Sequence, residues 1–497
     1  MPTQYFALID DRLVEDAMFL RRGLGMPRLL SPEPVVDPGE SLGTVLRDND
    51  GRWRMWYNVY VVRDPEKDLV GCDTPECIAY SDDGIRWEKP ALNLVDDPLY
   101  APHPNVIIGP RQPDAGGRYL SGWGGPSGLD VLDATVTPHP CARARFTGLS
   151  TCFPIDTIGG ICLMQSDDGV TWTMYPENPV IIGSPDTQNT LIWDQKIGKY
   201  VCYLRPTIYC GVERHANRKM ARTESEDLIH WTPPRVILDT DERDVSAFDI
   251  YDEPGMRGPR GRSKQFQGMS PFILNGCYIA FTWFYDARLG IFWNEMIHSD
   301  DGIDWKREAL REAFTGDGRP QGFRGKLFVP AAGVPILVGD EYYFYQCAMP
   351  YSHHDAAVAD IDPGKPNRRT ILESTSIYGL AVKRDRWIGY QAGDYEGELL
   401  TAPLDWEGGS PLWLNAEIED GGYITVEVED TWGRPVKDAH LDEIPPIAGP
   451  LDEVDHLVPF GPGPKTIMRF PPIGPVRFRF RLKNATLYGW SFWSAAA

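Results

Sequence analysis

Short apolar runs separated by polar turns organise most of the chain. Gly43-Thr44-Val45-Leu46 is followed by a turn at Asp48-Asn49-Asp50-Gly51 and then by Trp53-Arg54-Met55-Trp56-Tyr57. The succession recurs as Thr190-Leu191-Ile192-Trp193, a turn near Gly198, and Tyr200-Val201-Cys202-Tyr203-Leu204. It returns as Pro271-Phe272-Ile273-Leu274, Asn275-Gly276 and Tyr278-Ile279-Ala280-Phe281, and as Val334-Pro335-Ile336-Leu337, Gly339-Asp340 and Tyr342-Tyr343-Phe344-Tyr345. A less regular copy sets Ala134-Thr135-Val136 and Phe146-Thr147-Gly148-Leu149 on either side of Pro138-His139-Pro140. Runs of this length, rich in β-branched and aromatic residues and bounded by Gly, Asn and Asp, predict strands joined by hairpins.

A turn motif punctuates these runs. It reads Ser81-Asp82-Asp83-Gly84-Ile85-Arg86-Trp87 and Ser166-Asp167-Asp168-Gly169-Val170-Thr171-Trp172. Ser299-Asp300-Asp301-Gly302-Ile303-Asp304-Trp305 is a third copy, and Ser225-Glu226-Asp227-Leu228-Ile229-His230-Trp231 a degenerate one. The copies start 85, 59 and 74 residues apart in chain order, as expected of one structural unit carrying loops of different length. Asp-Gly supplies a left-handed turn, and the Ser and Asp side chains can hold the turn's own amides. Each copy therefore predicts the hairpin between the last two strands of a small antiparallel sheet, and its acids are read as structural. Repeating such four-stranded sheets radially protects their edges.

The expectation is an all-β chain: a five-bladed β-propeller over residues 1–397 and a C-terminal β-sandwich over 398–497. The second module rests on Leu412-Trp413-Leu414-Asn415-Ala416, Tyr423-Ile424-Thr425-Val426-Glu427-Val428 and the alternating Arg477-Phe478-Arg479-Phe480-Arg481-Leu482. The turn motif is missing there, and a Pro-rich loop spans 445–464. A length of 497 residues fits two domains.

Charge narrows the partners. With 71 acidic and 49 basic residues the formal net charge is −22, which repels a phosphate backbone and disfavours polyanionic substrates. An uncharged ligand such as a sugar is compatible. The N-terminus carries neither a basic nor an apolar leader region, and no run reaches the roughly 18 apolar residues that span a bilayer. A cytoplasmic protein without a membrane partner is expected, although a secreted chain trimmed of its leader would read the same. The nine Cys are an odd number, several inside strand-like runs, and Cys72 and Cys77 lack a second pair at zinc-ligand spacing. No metal and no cofactor are expected, and a homo-oligomer is left open.

In a propeller the innermost strands line the axis, so residues just ahead of them converge from different blades. Counting back eight to eleven positions from each inner hairpin gives Glu40, Asp186, Gln267 and the neighbourhood of Ala331. The second blade offers Asp133 with Asp130 nearby, and Asp249 lies ahead of the fourth. Convergent carboxylates supply the acid and the base or nucleophile of glycosidic cleavage. Glu40 is expected as nucleophile or base, Asp186 as transition-state stabiliser or acid, and Asp249 and Asp133 as further acids. Trp123, Trp283 and Tyr285 are candidate sugar-stacking walls, Arg205 and Arg324 candidate hydroxyl or carboxylate binders, and His353 a candidate at the channel mouth.

Asn178-Pro179-Val180, Asp186 ahead of an apolar strand, and Gly198-Lys199-Tyr200 resemble the lead-in to a blade in five-bladed glycoside hydrolases. These comprise the invertase and levanase group (families 32 and 68), the arabinanase and xylosidase group (families 43 and 62) and the mannoside phosphorylases (family 130). Pro34-Val35-Val36-Asp37-Pro38-Gly39-Glu40 resembles their first-blade lead-in, where the nucleophile or general base sits. Thr401-Ala402-Pro403-Leu404 and Leu414-Asn415 resemble the sandwich of family 32. The family 32 motifs Trp-Met-Asn-Asp-Pro and Glu-Cys-Pro are not found, and Arg63-Asp64-Pro65 follows a second strand instead of leading a first. Ser166 to Trp172 also fits the sialidase Asp-box, but six blades, an arginine triad and a Tyr–Glu pair are not established.

The resemblance implies a glycosidase or transglycosylase, exo-acting on a neutral oligosaccharide or glycoside, with furanosides preferred. The alternatives are a non-catalytic glycan-binding propeller and a glycoside phosphorylase.

Overall fold

The structure is a computed structural model. It describes residues 4–492 except 41–42, 63–71, 110–126, 153–159, 184–186, 207–217, 245–262, 309, 359–365, 367, 407–409, 438, 440–443 and 461–473. Two units are distinguished: Pro27–Ile336 with Tyr343–Ala381, and Met1–Met26 with Leu337–Tyr342 and Val382–Ala497.

The first unit is a five-bladed β-propeller. From the axis outward, blade 1 is Val45–Arg47, Trp53–Asn58, Glu76–Ser81 and Val106–Ile108. Blade 2 is Ser127–Asp133, Phe146–Cys152, Gly160–Ser166 and Thr173–Met174, and blade 3 is Thr190–Asp194, Lys199–Leu204, Met220–Ser225 and Arg235–Leu238. Blade 4 is Lys264–Leu274, Cys277–Asp286, Met296–Ser299 and Trp305–Arg307. Blade 5 is Leu327–Pro330, Glu341–Met349 and Ser376–Lys383, completed by Arg28–Leu29 from the start of the chain. The ring is therefore closed by a strand from before blade 1, whose pairing with Leu380 and Ala381 no local pattern announces.

The inner strand of blade 2 corrects the expectation of Ala134-Thr135-Val136. It runs over Ser127–Asp133, and 134–145 form the connection to the next strand. Its two acids disguise a buried strand. Asp130 is buried because Thr44 Oγ1 of blade 1 and the Leu191 amide of blade 3 both donate to its carboxylate. Neighbouring inner strands touch directly, through the parallel bridges Gly43–Leu129 and Thr44–Ala332. Thr190 Oγ1 donates to the Met269 carbonyl and Ser270 Oγ to that of Pro330 (both 3.2 Å).

All four motif turns lie between the third and fourth strands of blades 1 to 4, as expected. In the first, Ser81 Oγ accepts from the Gly84 amide (2.9 Å) and Asp83 Oδ1 from the amides of Ile85 and Arg86 (2.9 and 2.8 Å). Trp87 Nε1 closes the turn on the Gly84 carbonyl (3.1 Å), and Gly84 has φ +76°. The glycine carbonyl then serves the ring: Tyr345 Oη of blade 5 donates to Gly84, Trp56 Nε1 of blade 1 to Gly169, and Tyr203 Oη of blade 3 to Gly302.

The second unit is a sandwich around one apolar core. Its two long strands, Leu412–Asp430 and Val476–Phe492, pair throughout but break register between Ile418 and Tyr423. On one side of the break Leu412, Leu414, Ala416 and Ile418 point inward with Leu487, Trp490 and Phe492; on the other, Ile424, Val426 and Val428 do so with Phe478, Phe480 and Leu482. The expected boundary at 398 is corrected at both ends. Gln4–Ala7 pairs with Val476–Phe492, Val14–Met18 with Gly397–Thr401, and Arg21–Leu24 with Ile388–Ala392. No described helix is long and apolar enough to cross a membrane.

Candidate active site

Blade 1 brings two carboxyl groups together by strand pairing. Glu40 exchanges both backbone hydrogen bonds with Asn58 (2.8 and 3.1 Å), and Asn58 is paired in turn with Glu76 on the third strand. Residues directly opposite across antiparallel strands present side chains on the same face, so Glu40, Asn58 and Glu76 form one row. The row lies at the end of the blade opposite its 48–51 hairpin, the end from which the inner strands set out.

The row is dry. Glu40 is 7 % exposed, and Asn58 and Glu76 are fully buried. Tyr60 Oη donates to Glu40 Oε1 at 2.7 Å, while Glu40 Oε2 and both Glu76 oxygens complete no hydrogen bond among the described residues. Burial lifts the Glu40 carboxyl to about 7, with the Tyr60 hydroxyl drawing it down. Burial pushes Glu76 well above the usual carboxylate range. The nearby Asn58 and Leu129 backbone counter this slightly, and the charge of Glu40 adds to it. Among the described residues no cation contributes to either shift. A carboxyl group that burial pushes well above the usual range thus shares a row with one that ionises near neutrality. That is the equipment of an acid–base pair.

Further polar groups gather at the same end of the inner strands. Thr187, Gln188 and Asn189 lead into blade 3, and Gln267 sits at a register shift in the inner strand of blade 4. Trp283 pairs with Gly268, where an added Cβ would come within 2.9 Å of the indole. Thr187 Oγ1, Gln188 Oε1, Asn189 Oδ1, Gln267 Oε1 and Trp283 Nε1 are all buried without a hydrogen-bond partner among the described residues. Each such group costs about 1–3 kcal/mol, so native proteins tolerate few. These groups stand at the end of the inner strands where Glu40 lies.

The remaining expected residues divide. Asp186, Asp249 and Trp123 lie outside the described residues. Arg205 follows the second strand of blade 3 at the same end and is buried. Near it, Arg218 donates to Gln265 Oε1 (3.1 Å) and lies over the Tyr285 ring (5.2 Å), and Tyr285 Oη is 3.5 Å from His353 Nδ1. Arg324 is corrected: its side chain is 73 % exposed, 3.7 Å from Asp317, and takes no part in the buried groups.

Asp133 is also corrected. It ends the inner strand of blade 2 on the hairpin side, where Arg145 holds it (2.9 and 3.1 Å) and also reaches Asp48 of the blade 1 hairpin (3.6 Å). That places it at the opposite end of the strands from Glu40. Glu76, Tyr60 and the Thr187–Asn189 tripeptide are not among the sequence candidates, because strand pairing and the contacts between blades, not local spacing, bring them to this end. Glu76 did leave a signal: an acid directly before the apolar Cys77-Ile78-Ala79 run of a buried strand. Among the described residues no group of three or more His, Cys, Asp and Glu side chains could hold a metal ion.

No family model and no curated protein matches the chain. Among solved structures it is similar to a thermostable family 43 glycoside hydrolase at 11 % identity, covering 75 % of this chain and 94 % of that one, with TM-score 0.44. It is also similar to a β-1,2-mannobiose phosphorylase from Listeria innocua in complex with β-1,2-mannobiose (12 %, 72 % and 96 %, 0.43). A third is a family 43 arabinoxylan arabinofuranohydrolase from Bacillus subtilis in complex with cellotetraose (11 %, 94 % and 97 %, 0.40). Likeness at this level leaves the chemistry to this chain's own residues.

Proposed function

We propose that the chain is a carbohydrate-active enzyme that cleaves a glycosidic bond at the leading end of the propeller, exo-acting on a neutral oligosaccharide or glycoside, with furanosides preferred. The observation that carries this is the Glu40–Glu76 pair, two buried carboxyl groups with no cation among the described residues, whose ordinary structural use would be costly. Glu76 gives its proton to the leaving oxygen. Glu40, ionised, acts as base toward water or as nucleophile at the anomeric carbon. Asp186 and Asp249 remain candidates for stabilising the transition state. The three neighbours named above are two family 43 enzymes and a mannobiose phosphorylase, which agrees with this reading at the level of fold.

The test is turnover of a panel of aryl glycosides and natural oligosaccharides. Glu40→Gln and Glu76→Gln should each lower kcat by at least about a thousandfold while sugar binding persists. Asp186→Asn, assayed beside them, reports whether a third carboxylate takes part. Binding without turnover in the parent protein would make the propeller a glycan-binding module.

A second reading is favoured by one observation, the burial of Arg205 and Arg218 at the same end of blade 3. Arginine forks suit phosphate, and a phosphorylase would show turnover only with inorganic phosphate present.

A further inference from the structure

The lead-in to blade 3 reaches three other blades in three consecutive residues. Gln188 Nε2 donates to the Gly43 carbonyl of blade 1 (3.2 Å), and Asn189 Nδ2 donates to Thr151 Oγ1 of blade 2 (2.9 Å). Thr187 Oγ1 lies within 3.2 Å of where a Cβ on Gly268 of blade 4 would stand. In both amides the donor half is spent on holding blades together and the acceptor half is left over.

Gln188 Oε1, Asn189 Oδ1 and Gln267 Oε1 are buried acceptors with no described donor, Thr187 Oγ1 is a buried hydroxyl with no described partner, and Trp283 Nε1 is a buried donor with no described acceptor. The indole is pressed against the backbone of Gly268, where any side chain would displace it. Three amide oxygens and a hydroxyl, drawn from two blades and kept from water, suit the hydroxyl groups of a ligand, and the oxygens oppose an anion set directly against them. An aromatic ring beside them offers a flat apolar face to the carbon side of a sugar.

We propose that Thr187, Gln188, Asn189 and Gln267, with Trp283, form the recognition set for the hydroxyl groups of one uncharged sugar ring. The inference rests on the glycoside reading only in placing that ring near Glu40. A site built to satisfy hydroxyls rejects an analogue lacking one far more strongly than an apolar pocket rejects a missing methylene.

The experiment needs no turnover. The full chain is labelled with 5-fluorotryptophan, and the Trp283 resonance is identified in the fluorine NMR spectrum by its loss in Trp283→Phe. Free arabinose, xylose, glucose and mannose are titrated in, with the 2-deoxy and uronic acid forms as controls. The expected result is that at least one parent sugar shifts the Trp283 resonance saturably, and its deoxy and uronic forms bind at least tenfold more weakly. Thr187→Val and Gln267→Met, which remove a polar group and little else, should each weaken binding at least fivefold with the rest of the spectrum unchanged.

No saturable shift with any sugar, or equal binding by both variants, overturns the proposal. So does a shift produced by calcium chloride alone and lost in the same variants, which would assign the oxygens to a cation. Saturable binding in a protein whose glycoside turnover is absent, or indifferent to Glu40→Gln, upholds this proposal and removes the glycosidase reading.

Discussion

Glu40 ties pH to stability and, in the proposed function, to activity, with separate signs. In the unfolded chain its carboxyl ionises near 4.5; in the folded chain burial holds the proton to about pH 7. Between those values the unfolded state has released a proton that the folded state keeps, so stability is full below about pH 4.5 and declines up to about pH 7. The decline amounts to about 3 kcal/mol at most. Glu76, also raised by burial, acts in the same direction. Glu40→Gln abolishes this decline, so at pH 8 the variant should unfold at higher urea than the parent while the two nearly coincide at pH 4. A variant less stable than the parent at pH 8 would make Glu40 a structural carboxylate. Tyr60 acts on the ionised form: its hydroxyl donates to Oε1 and favours the charge. Tyr60→Phe should therefore move the acid limb of the pH–rate profile to higher pH, and an unmoved limb would dissociate the hydroxyl from the reacting carboxyl.

The motif turns make a sharper claim at the level of the element. Gly302 has φ +70°, and a Cβ there would meet Tyr203 Oη and Arg222 Nη1, both at 2.6 Å. Gly302→Ala should cost about 3 kcal/mol, from left-handed backbone strain together with overpacking. Blade 3 solves the same position differently. Leu228 holds φ +71° and is fully buried in one cluster with Leu149. Leu149 stands where blades 1 and 3 have an aromatic donor, level with the third residue past the turn's pairing partner. Leu228→Gly relieves the backbone but empties the contact, and should lower stability by about 2 kcal/mol. Denaturation midpoints decide, and a glycine variant as stable as the parent would show that the side chain is idle. These turns could be read from sequence because their chemistry closes within seven residues. The inner strand of blade 2 could not, because Asp130 is buried only by grace of Thr44 and Leu191, far away in the chain. Glu76 was hidden likewise: its partner row is assembled by strand pairing, and no spacing in the sequence aligns 40, 58 and 76.

Closure of the whole ring depends on a strand too short to be seen as one. Arg28–Leu29 completes blade 5 against Leu380 and Ala381, and the Leu30 amide adds a hydrogen bond to the Gly379 carbonyl (2.9 Å). Alternation needs more than two residues to register, so Arg28–Leu29 gives no strand signal, while Gln4–Ala7, Val14–Met18 and Arg21–Leu24 are long enough but find their sandwich partners only at the far end of the chain. A propeller closed between distant parts of the chain has a seam, and the seam is where opening should begin. Blade 5 meets blade 1 through the Tyr345 hydroxyl on Gly84 and the Thr44–Ala332 bridge, so loss of the closing strand should loosen both blades. Leu30→Pro removes the amide and its packing on Gly379 while leaving the other sandwich and propeller strands intact. Hydrogen exchange should then quicken in Ser376–Lys383 and in Val45–Arg47 and Trp53–Asn58, with Leu412–Asp430 and Val476–Phe492 unchanged. Faster exchange confined to residues 28–30 would mean that the ring is held by its inner strands alone, and that the seam carries no load.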